Sequence, residues 1–356
     1  MTPPSTIRSR PTGAIDADPF RELAAPARRE RMRLLGCDFE FEVRGRALDR
    51  LVQYAFAGLP SHALAADVPL LKLSLMIAPL ARRRARGGAG APSIETMSAS
   101  GLLCGSTERS TFVAISPGDR SALIVVARDM LRNAYHVRYE LIEFAVYTLA
   151  ARARGLVPLH AACIGREGRG LLVMGDTGAG KSTAALHCAL RGLDLVAEDS
   201  TFVAPESMLG TGVANFLHVR REALRYLPAR VGARMQRFPV IRRRSGVAKL
   251  EIDLRRAALP LAPSPVRLAG TVFAVARRAA RGAPLLVALG ADDALARLAA
   301  AQPYAAHRPE WPTFAHRVSE QPAFELRRGS HPDETAAALE SLLAATPVGA
   351  AMSASV

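Results

Sequence analysis

An apolar run that ends in a glycine-rich loop and continues into a helical pattern, residues 171–183, constrains the fold of this chain most strongly. It reads Leu-Leu-Val-Met-Gly-Asp-Thr-Gly-Ala-Gly-Lys-Ser-Thr and contains the pattern G-x-x-x-x-G-K-S. Glycines at 175, 178 and 180 allow a sharp turn that brings backbone N–H groups close to phosphate oxygens. The following helix directs the positive end of its dipole to the same place. The segment therefore predicts a strand, a phosphate-binding loop and a helix.

The residue types of this loop predict how it holds a nucleoside triphosphate. Lys181 can reach the β- and γ-phosphates, and the Ser182 hydroxyl can ligate Mg²⁺. The expected cofactors are ATP and Mg²⁺. We expect the nucleotide to contact the whole loop: Gly175, Asp176, Thr177, Gly178, Ala179, Gly180, Lys181, Ser182 and Thr183.

Composition is typical of a cytoplasmic enzyme. A length of 356 residues allows one large or two ordinary domains. No apolar run approaches the roughly 18 residues of a membrane-spanning helix. The four cysteines show no C-x-x-C or zinc spacing, so we expect free thiols in a reducing compartment.

The net charge of +15 has two interpretations. Arginine runs at 82–86, 242–244 and 277–281 are compatible with nucleic-acid binding. Few aromatic residues accompany them, so solvated faces and loops are favoured and no nucleic-acid partner is expected. An acidic protein or peptide substrate fits the same charge.

Lysine is rare in this chain, since only three of its 47 basic residues are lysine. Lys181 belongs to the loop pattern. Lys72 lies in an alternating segment that predicts a strand with Lys72 facing solvent. Lys249 follows a loop-like stretch, where either a second phosphate-contacting lysine or an exposed strand lysine fits the pattern.

The pattern along the chain predicts four parts. Residues 1–33 are rich in Pro, Arg and Ala without periodicity, which indicates a disordered tail. Residues 34–130 form a small α+β module without a catalytic motif. Residues 131–346 form the phosphate-binding domain, entered by a helix over 129–154, and 347–356 form a second disordered tail.

Two acidic residues, Glu198 and Asp199, follow the apolar strand 193–197. The end of a strand beside a phosphate-binding strand is where a metal or an attacking hydroxyl is met. Asp199 could accept the proton of a substrate hydroxyl while Glu198 orients a Mg²⁺-bound water. Alternatively, Asp199 only holds the metal of an ATPase, and the residues leave both interpretations open.

The block 159–203 resembles the catalytic core of the HPr kinase/phosphorylase family, particularly its shorter bacterial relatives. The shared pattern is a His in a strand, a hairpin, the phosphate loop, a helix ending in Arg-Gly, and a strand closing with two acidic residues. The matching positions are His160, Gly175 to Ser182, Arg191-Gly192 and Glu198-Asp199.

The resemblance implies an α/β fold in which an HPr kinase C-terminal, phosphoenolpyruvate carboxykinase-like P-loop domain follows the small α+β module. It implies Asp199, His160 and Lys181 as catalytic residues and Ser182 and Glu198 as metal ligands. It also makes a homo-oligomer an option. His218 stands where the family has a further metal-binding Glu, so the reverse, phosphorylase reaction is left open.

We therefore expect an ATP- and Mg²⁺-dependent serine kinase that transfers the γ-phosphate to a serine hydroxyl of a small protein or peptide. Two alternatives remain. One is a P-loop ATPase or GTPase acting as a switch or assembly factor without transfer to a protein. The other is a non-catalytic nucleotide-binding scaffold.

Overall fold

The computed structural model describes residues 27–65, 67–78, 91–107 and 111–345. The predicted tail residues 1–26 and 347–356 and the arginine run 82–86 lie outside these ranges. The described chain is a mixed α/β structure with three sheets.

The first sheet contains seven strands from the first third of the chain. Its spatial order is β1-β2-β3-β7-β6-β5-β4, with β3 parallel to both of its neighbours and the other pairs antiparallel. The crossover from β2 to β3 contains helix α1, Arg46–Phe56. The strands are β1 Arg28–Leu34, β2 Cys37–Arg44, β3 Leu70–Ile77, β4 Glu95–Ala99, β5 Leu102–Ser106, β6 Phe112–Ser116 and β7 Ser121–Val126.

Strand β1 corrects the predicted disorder of residues 28–33. The strand pairs along its whole length with β2. Its alternate side chains are arginines on the solvent side, so no apolar alternation marks it in the sequence. Those arginines face carboxylates of β2, in the pairs Arg29–Glu42 at 3.3 Å, Arg31–Glu40 at 2.9 Å and Arg33–Asp38 at 2.8 Å. Cross-strand opposite charges and the backbone ladder therefore stabilise a segment whose composition indicated a tail.

A continuous helical segment connects the first sheet to the second. It begins with a 3₁₀ turn, Met130–Asn133, and continues through α2, Ala134–His136, a π-helical stretch, Val137–Glu143, and α3, Phe144–Arg154. Gly155, with a φ of 58°, ends it in the left-handed conformation. Its buried side chains pack with α1 into the apolar core of the first sheet. The predicted entry helix therefore packs on the N-terminal sheet.

Within the described residues, the second sheet has nine strands and carries the glycine-rich loop. Its main path is β11-β9-β10-β17-β13-β12-β8, with β19 parallel to β17 and β18 antiparallel to β19. The strands are β8 Val157–Leu159, β9 Ala162–Arg166, β10 Arg169–Met174, β11 Asp194–Ala197, β12 Thr201–Ala204, β13 Leu209–Gly212, β17 Val266–Arg278, β18 Leu286–Leu289 and β19 Ala323–Arg328.

The third sheet is small and lies beside the phosphate-loop helix. Its order is β14-β16-β15, from Phe216–Val219, Ala248–Asp253 and Val240–Arg242 respectively. Two apolar cores cover the second sheet. The remaining helices are α4 Lys181–Leu190, α5 Ala229–Met235, α6 Ala291–Ala301, α7 Pro303–Ala306, α8 Trp311–Ser319 and α9 Pro332–Ala345, with a 3₁₀ segment at Arg221–Tyr226.

Candidate active site

The glycine-rich loop connects β10 to α4, in the strand–loop–helix arrangement expected from the sequence. Gly175, Gly178 and Gly180 have φ values of 145°, 87° and 107°, which other residues rarely adopt. A Cβ at Gly175 would also collide with the carbonyl oxygen of Ala274 on β17. Glycine is therefore required both by the turn and by the close approach of the two backbones.

The side chains of Lys181 and Ser182 begin helix α4 on the inner side of the loop. The Lys181 ammonium donates a hydrogen bond to the carbonyl oxygen of Gly175, and its side chain is buried. The Ser182 hydroxyl donates to the carboxylate of Glu198. The structure thus brings together a loop cation, a hydroxyl and a carboxylate predicted to bind phosphate and metal.

Glu198 belongs to a buried chain of charged groups. His218 lies between two carboxylates, with Nδ1 donating to Glu198 at 3.4 Å and Nε2 donating to Glu251 at 3.3 Å. Beyond Glu251 lies Arg138 of the π-helical stretch, which pairs with both Glu251 and Glu143. These buried charged groups, called the buried network below, therefore connect the glycine-rich loop to the helical segment on the first sheet.

The pKa shifts of Glu198 and His218 follow from their contacts within the buried network. Burial raises the pKa of Glu198, but the hydrogen bond and positive charge of His218 outweigh burial and lower the pKa below its ordinary value. Burial lowers the pKa of His218, but its hydrogen bonds to Glu198 and Glu251 outweigh burial and raise it. Both ring nitrogens face carboxylate oxygens, and the raised pKa favours the imidazolium form of His218, in which both nitrogens donate.

Asp199 has different partners from its neighbour Glu198. Its two carboxylate oxygens lie 3.2 Å from Nδ1 of His160 and 3.3 Å from Nη2 of Arg243. The Asp199 side chain keeps 16% of its surface exposed and lines a cavity of about 300 Å³. Two consecutive acidic residues therefore serve two separate places, with Glu198 at the phosphate loop and Asp199 at the cavity.

His160 does not lie in a strand, which corrects the expectation, taken from the family pattern, of a His within a strand. Strand β8 pairs with β12, whereas β9 pairs with β10 and β11. The polypeptide pairs with different strands before and after His160, so His160 has no strand partner for its backbone. The Gln302 side chain makes those backbone hydrogen bonds instead. Its Oε1 accepts from the His160 N–H at 2.8 Å, and its Nε2 donates to the His160 carbonyl at 3.2 Å.

The lysine and arginine predictions have mixed outcomes. Lys72 is exposed on β3, as predicted. Lys249 lies on a strand, β16, but is half-buried and not exposed. Burial and the charge of Arg243 lower its pKa, and Glu198, Asp199 and Lys181 also act on it electrostatically. Lys249 is therefore close to the charged groups of the candidate site.

Two arginines near the site were missed in the sequence. Arg243 belongs to the run 242–244, interpreted as a solvated loop, which is wrong for Arg243 because it pairs with Asp199. Arg328, the last residue of β19, donates from Nε to the carbonyl oxygen of Ala179 at 3.3 Å and from Nη2 to that of Gly178. In an arginine-rich chain no local signal distinguishes these two from the rest.

The cysteines and the helices agree with the sequence. Cys37, Cys104, Cys163 and Cys188 are all free thiols. None of the helices within the described ranges is long and apolar enough to cross a membrane. Among the same residues, no group of three or more His, Cys, Asp or Glu side chains forms a metal-binding cluster. A Mg²⁺ ion that keeps water and phosphate ligands needs only one or two carboxylates.

Comparisons with known proteins give little further information. No protein-family model matches the chain, and no curated protein matches it. Among solved structures, the Hpr(Ser) kinase/phosphatase from Coxiella burnetii aligns with 52% of this chain and 95% of its own, at 13% sequence identity and a TM-score of 0.26. A likeness at that TM-score carries no argument about fold or function.

Proposed function

We propose that this protein is an ATP- and Mg²⁺-dependent kinase that transfers the γ-phosphate to a serine hydroxyl of a small protein or peptide in the cytoplasm. One observation carries the proposal. Glu198 is bonded to Ser182 of the phosphate loop, whereas the adjacent Asp199 lines a cavity outside it. A phosphate-side carboxylate next to a cavity-side carboxylate is the arrangement that transfer to an acceptor alcohol needs.

The phosphate side fits ATP and Mg²⁺. The glycine turn exposes backbone N–H groups at the positive end of α4, and Lys181 supplies a charge inside the turn. Ser182 and Glu198 provide adjacent oxygen donors, which Mg²⁺ prefers. When bound, Mg²⁺ would neutralise charge on the phosphate oxygens. We assign nucleotide contact to 175–183, as expected from the sequence.

On the acceptor side, Asp199 is the general base in this proposal. Arg243 pairs with one oxygen of this cavity-lining carboxylate at 3.3 Å. The contact with His160 fixes the direction of the other carboxylate oxygen. Asp199 would take the proton of the serine hydroxyl as the serine oxygen bonds to the γ-phosphorus. The bond from that phosphorus to the β–γ bridging oxygen breaks at the same time, and ADP leaves.

Lys249 is the second phosphate contact in this proposal. Its ammonium lies within electrostatic range of Lys181, Glu198 and Asp199, and burial removes part of its hydration. A compact, partly desolvated ammonium is suited to phosphate oxygens as a point charge. Two of the three lysines of the chain would then serve one phosphate group.

Transfer of label from γ-labelled ATP to a serine-containing peptide tests the proposal. We expect Asp199→Asn to abolish transfer and to keep nucleotide binding, measured with a fluorescent ATP analogue. Lys181→Ala should weaken both. Mg²⁺-dependent ATP hydrolysis without label on any acceptor would contradict the kinase and favour the switch.

A further inference from the structure

The cavity beside Asp199 adjoins a second cavity, and the two together are called the cleft. A second cavity of about 380 Å³ shares Phe144, Tyr147 and Ser200 with the cavity of about 300 Å³ that Asp199 lines. We call the cavity of about 380 Å³ the sheet-1 lobe and the cavity of about 300 Å³ the His160 lobe. The three shared residues form a saddle between the lobes, and Ser200 directly follows Asp199. The two lobes therefore meet at Ser200, one residue beyond the proposed base, which itself lines only the His160 lobe.

The sheet-1 lobe is built largely by the N-terminal part of the chain. Ile94, Thr96, Gly105 and Val113, on or next to β4, β5 and β6, provide its floor. The helical segment that packs on the first sheet provides a wall. The module that carries no catalytic motif thus contributes one side of the lobe next to Ser200.

The His160 lobe is built by the second sheet and the α6–α7 region. His160, Asp199, Gln302 and Tyr304 lie in its wall. Tyr304 has 62% of its surface exposed, and Phe144 at the saddle has 41% exposed. Exposed aromatic rings in a concave site gain most from burial against a ligand.

We propose that this cleft holds the acceptor as an extended peptide, with the serine at the saddle and apolar side chains in both lobes. The inference rests on the proposed kinase function. Each lobe is at the small end of ligand pockets, about 300 Å³, so an occupant of both must be elongated. The lining also includes Arg152 and Arg308 in the His160 lobe and the Arg244–Glu140 ion pair in the sheet-1 lobe, and this excess of arginine disfavours basic flanking residues.

Label transfer to four acceptors tests this assignment. The first is free L-serine, and the other three are capped nonapeptides with a central serine. One peptide has glycines on both sides of the serine, one has leucines only on the N-terminal side, and one has leucines only on the C-terminal side. We expect leucine on either side to raise kcat/KM about tenfold over glycine, and free serine to be the poorest acceptor. Lysine in place of leucine should remove the gain.

Variants test which lobe binds the peptide residues on which side of the serine. Ile94→Ala should remove the preference on one side only, and Tyr304→Ala the preference on the other side only. Phe144→Ala should reduce both. Phe112→Ala is the matched control, because Phe112 is a similarly exposed phenylalanine, at 36%, outside the cleft. If Ile94→Ala and Tyr304→Ala both lost the leucine preference on the same side of the serine, the two-lobed cleft would be overturned.

The outcomes separate the cleft from the kinase. Equal use of free serine and all peptides would overturn the cleft and leave the kinase standing. If no acceptor is labelled although ATP binds, the kinase is wrong. Fluorescence anisotropy of labelled peptides with the Asp199→Asn variant then decides the cleft without catalysis, because equal binding of leucine- and glycine-flanked peptides would overturn it.

Discussion

Glu198 and Asp199 are consecutive in sequence, but they have opposite surroundings. Glu198 is 4% exposed and bonded to Ser182 and His218, in a chain of buried charges that continues to Arg138. Asp199 is partly exposed, lines a cavity and has two partners, His160 and Arg243, that are themselves partly exposed. One carboxylate is held by a buried network, and the other has surface open to the cavity.

This difference shows how one strand end can serve two purposes. A fully paired carboxylate in a buried network holds its charge and position, which suits a metal ligand. A carboxylate with exposed surface can meet an incoming hydroxyl. The comparison predicts that changes at Asp199 affect catalysis and spare the fold, and that changes in the buried network affect the fold.

The largest expected effect is on the rate of Asp199→Asn. Loss of the general base should lower phosphoryl transfer by about 10²–10⁴-fold. The free energy of unfolding should change by less than about 1 kcal/mol, because the ion pairs of Asp199 are partly exposed. Label transfer and urea unfolding measure the two quantities. A variant with near-normal transfer would contradict the base assignment.

The second-largest expected effect is on the free energy of unfolding, when a residue of the buried network is replaced. Arg138→Met leaves Glu143 and Glu251 buried without their guanidinium, so we expect a loss of about 3–5 kcal/mol in the free energy of unfolding. Arg31→Met is the matched control, since Arg31 pairs with Glu40 on the exposed face of β1. The control should cost less than about 1 kcal/mol. Equal losses in the two variants would remove the distinction between the two regions.

A smaller effect is expected at the second lysine. Loss of a charge-assisted phosphate contact in Lys249→Met should lower kcat/KM for ATP about tenfold. Lys72→Met is the control, because Lys72 is exposed on β3. Steady-state kinetics at varied ATP concentration measure the effect. If both variants behave like the wild type, Lys249 is only a structural residue.

The smallest expected effect is a pH dependence of stability from His218. Its pKa is raised from 6.5 in the folded chain, so its contribution is complete below pH 6.5 and is lost as pH rises through the folded value. The pKa of Glu198 is lowered from 4.5, so its contribution is lost as pH falls below 4.5. Unfolding of wild type and His218→Gln against pH should show a difference that shrinks above pH 6.5. A constant difference would contradict a charged His218.

Much of the local structure could be predicted from the sequence. The strand and helix around the glycine loop and the exposed Lys72 follow the predicted patterns. Strand β1 and the break at His160 did not follow them. The first depends on charge pairs with another strand and the second on Gln302, which is 142 residues away in sequence. Such partners are set by folding and leave no periodic signal.

For the candidate site, the sequence by itself determined the glycine turn, Lys181, Ser182 and the acidic pair, because these depend on neighbours a few residues away. Only the tertiary structure decided that Glu198 faces the loop and Asp199 the cavity, and that Arg243, His218 and Lys249 join them. The physical reason is that burial and charge pairing depend on which distant strands meet. In a chain with 47 basic residues, position in the fold alone separates the arginines at the site from the others.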